Sequence, residues 1–396
     1  MKNVLFITWD GPKTSYMEGL FMPILSQVQL QSDYVFHVIQ FTWGTSEKIA
    51  ITQKAAKELH IQYTAMPIMR KPIAIIGNLF TLYNGTRFLK KYIKNNAISV
   101  VMPRSTMPAI MVNRIPNRSF KVLFDADGLP LEERIDFSGL SRNSKQYQFF
   151  KAEELKMLLH ADAVLTRSNK AIDIHLDALE SKISKKFWVV LNGRNPDFFK
   201  PNWSEREKVR DELNISNHAK VFVYCGSLGP QYGWEEMMAI FKGYHEKNPS
   251  ALFLILTGND AFAHERIPHE IKSSIRIKTV PFAQVPSYLS VADVAFAIRE
   301  PKFSMQGVAP IKLGEYLLMG IPTIASEGIG DTEQILNAIP NCFLYHHQNP
   351  SRVDDAVAFI ESLGDTDFDI IRKFSIPFFS IEKSATSYCK ALDSLK

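Results

Sequence analysis

The sequence predicts an α/β protein made of two doubly wound parallel sheets, one after the other along the chain. Three observations carry that reading. Short β-branched and aromatic runs alternate with longer helical stretches, the runs are mostly apolar, and they fall into two series separated by a polar segment. Continuous apolar strands between helices belong to parallel sheet covered on both faces. Two such series belong to two domains. At 396 residues, 46% of them hydrophobic, the chain has room for two cores.

The first series places strands at Val4 to Thr8, Tyr34 to Phe41, Ile98 to Met102, Lys121 to Phe124, Ala163 to Thr166 and Trp188 to Leu191. Between the second and third, residues 69 to 96 interleave Ile, Leu, Phe and Tyr with Arg70, Lys71, Arg87, Lys90, Lys91 and Lys94. This is the composition of an amphipathic helix able to lie on an anionic membrane, or of a buried helix with a solvated basic end. Residues 193 to 218 are rich in Asn, Pro and charge, lack a strand pattern, and should contain the domain boundary. The second series follows at Lys220 to Cys225, Ala251 to Leu256, Ile275 to Val280, Val294 to Ile298, Ile321 to Ala325 and Cys342 to Tyr345. Ala385, Tyr388, Cys389 and Leu392 then repeat at helical spacing, so the chain should end in a helix. The expected divisions are 1–193, 194–375 and a terminal segment 376–396. Ligands of open parallel sheets bind at the carboxyl ends of the strands, so two such domains facing one another would make a central cleft.

Composition excludes several classes. Cys225, Cys342 and Cys389 are odd in number and far apart, which suits neither a disulfide framework nor a cysteine zinc site and fits a reducing cytoplasm. The N-terminus shows no signal-peptide pattern, and no run approaches 18 apolar residues. There is no G-x-x-x-x-G-K-[ST], no G-x-G-x-x-G after a strand, no H-E-x-x-H and no G-x-S-x-G. Charge is uneven: residues 1 to 100 hold eleven Lys or Arg against five acids, giving +6, while the whole chain is +5. No nucleic-acid-binding motif accompanies that excess.

Residues 299 to 326 read as a loop, a helix and a strand suited to an anion. Pro310 fits the first helical turn, and Gly320 supplies the left-handed residue that stops the helix. Gly307, Val308 and Ala309 offer no side-chain oxygen to the first N–H groups, which are then available to a phosphate. Lys312 lies in the first turn, where the helix dipole disfavours a cation unless a bound anion compensates, and Glu315 follows on the same face. A diphosphate at the helix tip and a ribose hydroxyl at the carboxylate would use these groups. The plainer reading is an amphipathic helix with a solvated Lys and Glu.

Other strand ends carry small or charged residues. Gly226 and Ser227, Gly258 and Asn259, and Asn192 and Gly193 let backbone approach a ligand. Asp125 and Asp127 close the fourth strand; Asp125 is expected to cap the turn, and Asp127, beside Gly128, is the better functional candidate. A metal there is disfavoured, because Lys312 and the helix tip could neutralise a diphosphate without one. Arg104 with Ser105, Asp10 with Gly11, and Arg194 also end strands, the first four as acceptor-binding candidates and Arg194 as a cation for acceptor or phosphate.

The pieces FDADG with LPLEE, KAEELKMLLHADAVLTRSNK, VLNGRNPDFFKP, VFVYCGSLGPQYGWEEM, LFLILTGND, VPFAQVPSYLSVADVAFAIR and APIKLGEYLLMGIPTIAS run in order through most of the chain. In that order and spacing they resemble the retaining, nucleotide-sugar-dependent glycosyltransferases of family four, whose GT-B fold has two Rossmann-like domains facing a cleft. The resemblance implies that the N-terminal domain binds the acceptor, that the C-terminal domain binds the nucleoside diphosphate sugar, and that the final helix crosses back to the N-terminal domain. By position Glu315 would bind the ribose, Gly307, Val308, Ala309 and Pro310 would meet the diphosphate, and Leu313 is a further donor-binding candidate. Gly226 and Ser227 would face the phosphates, Gly258 and Asn259 would line the donor site, and Pro281 and Phe282 would flank the base. Asp127, Lys312 and Arg299 are the catalytic candidates. Two departures stand out: Gly307 occupies a position where the family often has a second acid, and GSLGPQYGW lacks the usual lysine, leaving Arg299, Lys302 and Lys312 as replacements.

The expected function is metal-independent and cofactor-independent transfer of a sugar, from UDP by preference, to a surface polysaccharide or lipid-linked saccharide. The expected setting is cytoplasmic, with peripheral contact on the inner face of the cell membrane. A sugar-nucleotide epimerase of similar fold and a non-catalytic nucleotide-sugar-binding subunit are the alternatives.

Overall fold

The computed structural model describes residues 2–12, 14–180, 184–364 and 366–396. The chain forms two units, Met1–Gly193 with Ile381–Lys396, and Arg194–Ser380.

In the first unit β1 (Lys2–Asp10), β2 (Tyr34–Thr42), β3 (Gln62–Pro67), β4 (Ile98–Pro103), β5 (Lys121–Asp125), β6 (Ala163–Thr166) and β7 (Phe187–Val189) form one sheet in the order β3-β2-β1-β4-β5-β6-β7. Every pairing is parallel; in the central pair Val4 faces Phe36 and Ile7 faces Ile39. β3 was not expected. It is an edge strand whose QYTAMP sequence is nowhere fully buried, so it lacks the apolar run that marks a central strand.

In the second unit β8 (Val221–Cys225), β9 (Leu252–Leu256), β10 (Ile275–Lys278), β11 (Val294–Ala297), β12 (Thr323–Ser326) and β13 (Cys342–Tyr345) pair in parallel as β10-β9-β8-β11-β12-β13. Alternate residues of each strand feed the two faces, as the pleat requires. Val221 and Val223 join Leu313, Leu317 and Leu289 on one side. Phe222 and Tyr224 join Trp234, Phe241 and Phe253 on the other. Phe222 and Phe241 meet edge to face at 5.3 Å, and truncating a ring buried this completely typically costs about 3–5 kcal/mol.

Both sheets reverse strand order once, between β1 and β4 and between β8 and β11. These are the places where open α/β sheets leave a crevice at the carboxyl ends of their strands.

The polar segment after Gly193 contains the helix Trp203–Glu212, started by the Asn202 side chain accepting from the N–H of Glu205. The helix Phe368–Phe379 belongs to the second unit and Ile381–Asp393 to the first, so the chain changes unit at Ser380 rather than after residue 375. The final helix packs on helix Met22–Gln31, and Tyr34 donates to Asp393 at 3.1 Å. No described helix is long and apolar enough to cross a membrane.

Candidate functional site

The second-unit site is built where β8 and β11 diverge. β8 ends at Cys225 and is followed by Gly226 and Ser227; β11 is followed by Arg299, whose backbone bridges to Tyr232. Helix Ile311–Leu318 approaches this point with Lys312 in its first turn. Pro310 stands just outside the helix as its cap residue, not in the first turn, and among the described residues no side chain caps the helix start. Gly320 terminates the segment with φ +73°, the left-handed conformation expected of it.

Lys312 does not point into solvent. Its ammonium donates to the Tyr224 hydroxyl and, at 3.4 Å, to the Ser227 carbonyl, and lies 4.3 Å and 4.0 Å from the ring centres of Tyr224 and Tyr232. The Arg299 guanidinium lies 4.9 Å from the other contact of that cage, the Tyr232 ring. Burial, reinforced by Arg299, pushes Lys312 well below the ordinary lysine range. The two tyrosine faces hold the cation that the helix dipole disfavours. Gly226 is required beneath it: its φ is +135°, and a Cβ there would lie 2.2 Å from Lys312 Cε. Cys225 is inert, its thiol pushed up to about 12 by burial.

Glu315 sits one turn further along the helix, buried, and accepts from Arg194 Nε at 2.8 Å. Arg194 was expected to meet acceptor or phosphate. The structure pairs it with Glu315, because the Arg194 N–H donates to the Phe379 carbonyl at 2.8 Å and fixes its backbone beside the helix that packs on Ile311–Leu318. The Arg194 guanidinium lies 5.9 Å from the ring of Phe282, which stacks on Phe198 at 5.3 Å and keeps an exposed face. Lys312 and Glu315 thus serve separate clusters, cationic and aromatic.

The remaining second-unit candidates lie at the same sheet edge. Gly307 and Val308 end a short turn of helix, Phe303–Gly307, ahead of Ala309 and Pro310. Leu313 has its side chain wholly in the core, so only its backbone can meet a ligand. Gly258 has open space where a Cβ would be, and the Asn259 N–H donates to Thr257 Oγ1 at 3.1 Å. Thr279 Oγ1 donates to the Thr257 carbonyl at 2.6 Å, tying the β9 end to the segment carrying Pro281 and Phe282. Tyr224 and Tyr232 were missed by the sequence reading; their signal was an aromatic on either side of the GSLGPQ loop.

In the first unit four strand ends carry charge. Arg167 donates to Asp125 Oδ2 at 2.8 Å, and Asp125 Oδ1 accepts from the Asp127 N–H at 3.1 Å, so Asp125 does cap the turn. Asp127, at φ +65°, is paired with Arg104, whose guanidinium also lies 4.4 Å from the Phe21 ring. Arg167 Nε lies 3.7 Å from Asp127 Oδ1. Burial opposes the charge on Arg167, but Asp125, Tyr388 and Asp127 together outweigh it and raise its pKa above the usual arginine value. Ser105, at φ +64°, donates its N–H to the Asp125 carbonyl at 2.8 Å. Asp10 accepts from Gln40 at 2.9 Å and lies near enough to Arg104 to favour its charge, and a Cβ at Gly11 would touch Trp43 at 3.3 Å. Among the described residues the buried hydroxyl of Tyr388, on the final helix, has no hydrogen-bond partner, nor do Arg167 Nη1 and Arg104 Nε. Arg167 and Tyr388 were not anticipated; for Arg167 the signal was a cation directly after an apolar strand.

No protein-family profile matches the chain, and no curated protein matches it in sequence. Solved structures do. A glycosyltransferase from Rickettsia africae superposes with TM-score 0.72 at 15% identity over 100% of both chains. The HepE protein of Anabaena, in complex with UDP, gives 0.70 at 13% identity, again over 100% of both. The lipopolysaccharide outer core galactosyltransferase WaaB in its apo form gives 0.65 at 16% identity over 100% of both. At these identities the likeness speaks for architecture, and with the two parallel sheets it makes the fold that of the GT-B glycosyltransferases.

Proposed function

We propose that this chain moves a sugar from a nucleoside diphosphate, UDP by preference, to a saccharide or lipid-linked acceptor of the cell surface, with retention of configuration. The observation that carries the reading is the pair of cations, Lys312 and Arg299, held over Tyr232 where β8 and β11 diverge, with Gly226 keeping the backbone clear. Two cations and a helix start converging there suit a diphosphate. Beside them Glu315 offers a carboxylate for ribose hydroxyls, and the exposed face of Phe282 offers a stacking surface for the base. HepE, of the same fold, has been solved with UDP and with UDP-glucose.

In the reaction, the bond between the sugar's anomeric carbon and the diphosphate oxygen breaks and its electron pair goes to the leaving oxygen. Lys312, Arg299 and the start of helix Ile311–Leu318 stabilise that charge without metal or cofactor. The acceptor oxygen forms the new bond to the anomeric carbon on the face the diphosphate leaves, and its proton passes to the departing diphosphate oxygen; Asp127 is the first-unit group assigned to orienting the acceptor. Membership of the retaining family four rests on the order of sequence pieces together with the shared fold.

UDP titration of the Lys312→Ala and Glu315→Gln variants tests the site: both should bind more weakly, and unchanged affinity in both overturns it. Incubation with several nucleotide sugars tests the reaction. Nucleotide release that depends on an acceptor supports transfer, a changed but unreleased sugar means epimerisation, and binding without turnover means a binding subunit.

A further inference from the structure

Helix Ala74–Asn95 of the first unit turns small residues inward and large apolar ones outward. Its buried positions are Gly77, Thr81, Leu82, Gly85, Leu89 and Ile93. A Cβ at Gly77 would lie 2.2 Å from the Met69 carbonyl oxygen, and one at Gly85 would lie 2.6 Å from Met111 Sδ and 2.9 Å from Phe41, so glycines hold the first half of the helix close to its unit. Outside, Ile75, Leu79, Phe80 and Tyr83 are 71, 57, 53 and 58% exposed, and Ile73, Ile76 and Met69 are exposed beside them. The exposed surface of this apolar stripe contributes little to folding, which marks it as an interaction surface.

The stripe changes character along one face. At steps of three and four residues beyond Tyr83 come Arg87, Lys90, Lys91 and Lys94, all exposed. Arg70 and Lys71 flank the apolar end, Arg70 lying 4.8 Å from the Trp43 ring. No counter-charge is nearby in sequence: residues 59 to 124 contain ten Lys or Arg and no Asp or Glu.

We propose that this face docks on an anionic lipid bilayer. Ile75, Ile76, Leu79, Phe80 and Tyr83 enter the boundary between headgroups and acyl chains, and Arg87, Lys90, Lys91 and Lys94 meet lipid phosphates, with the helix lying in the plane of the surface. Charge complementarity selects this occupant. A second copy of the chain would set the same cations against themselves across a two-fold axis. Nucleic acid would leave the apolar half of the stripe in water. The proposal stands apart from the sugar-transfer reading.

The test is co-sedimentation of the full chain with vesicles of phosphatidylcholine alone or of equimolar phosphatidylcholine and phosphatidylglycerol. Binding to the anionic vesicles, weakened by added salt, is expected. Leu79→Ser/Phe80→Ser and Lys90→Glu/Lys91→Glu should each reduce partition about tenfold or more while leaving the unfolding midpoint and UDP affinity unchanged. Three results overturn the proposal: no partition onto anionic vesicles, partition that neither double variant alters, or a self-associated parent that Leu79→Ser/Phe80→Ser turns into a monomer with vesicle binding intact. Loss of UDP binding in the Lys312→Ala variant with vesicle binding retained would show that the two sites are separable.

Discussion

The guanidinium of Arg194 and the carboxylate of Glu315, 121 positions apart in sequence, meet through a 2.8 Å hydrogen bond in a site closed to most solvent. Removing one partner of such a pair leaves a buried charge unmatched, which costs more than removing both. Arg194→Ala is therefore expected to lower stability by about 3 kcal/mol, and Glu315→Gln in the same background should restore part of it. Urea unfolding of the two single variants and the double variant checks this. An Arg194→Ala protein as stable as the parent would mean that the pair is incidental.

Lys312 gives a pH signature with a defined sign. Its pKa is depressed in the free protein, and a diphosphate beside it would raise it again. UDP binding should then take up a proton between those two values, and affinity should fall as pH rises through the window. Calorimetry in buffers of different ionisation heat reads the uptake, which Lys312→Met should abolish. For the free protein the unfolded lysine, at about 10.4, holds its proton where the folded one releases it, so this residue's contribution makes stability rise with pH up to that value.

Gly226 and Gly258 both follow strands, yet their substitution should differ. Gly226→Ala meets strain at φ +135° and a contact with Lys312 Cε, so a loss of about 1–3 kcal/mol and displacement of the lysine are expected, with weakened UDP binding. Gly258 has nothing within 4 Å, and Gly258→Ala should stay within about 0.5 kcal/mol of the parent. Paired thermal melts and UDP titrations distinguish the two; equal behaviour would contradict the cage around Lys312.

Asp127 and Arg167 separate chemistry from stability in the first unit. Asp127→Asn keeps a residue type that accepts φ +65° and an oxygen that can still accept from Arg104, so its loss of stability should be smaller than that of Arg167→Met while turnover falls about 100-fold. Arg167→Met strands the Asp125 carboxylate, which is wholly buried, and should cost about 3–5 kcal/mol. Turnover by the Asp127→Asn protein at the parental rate would remove Asp127 from the mechanism.

What the sequence revealed depended on whether its signal was local. Twelve strands were legible because nearly all are short, mostly apolar runs, and Ala163 to Thr166 was placed with its observed bounds. β3 was not, because an edge strand of half-buried residues looks like a loop. The stop of the site helix at Gly320 needed only one left-handed glycine. Its start was misplaced by one residue, since Pro310 suits a cap as well as a first turn. The tyrosine cage was hidden for a different reason: Tyr224 and Lys312 meet only because β8 and helix Ile311–Leu318 pack together, and no pattern within either segment announces it. Arg167 and Tyr388 share that limitation, the latter reaching its unit from the far end of the chain.

The glycines beneath helix Ala74–Asn95 have a consequence for how this protein can change. Since Gly77 and Gly85 make the close contacts, the identities at positions 75, 76, 79, 80 and 83 are nearly neutral for folding, about 0.5 kcal/mol or less per substitution. Mutation can therefore sample that outer face widely, shifting its affinity for whatever it meets without endangering the fold. The inner face has no such latitude, because almost any replacement of either glycine drives a side chain into Met69, Met111 or Phe41.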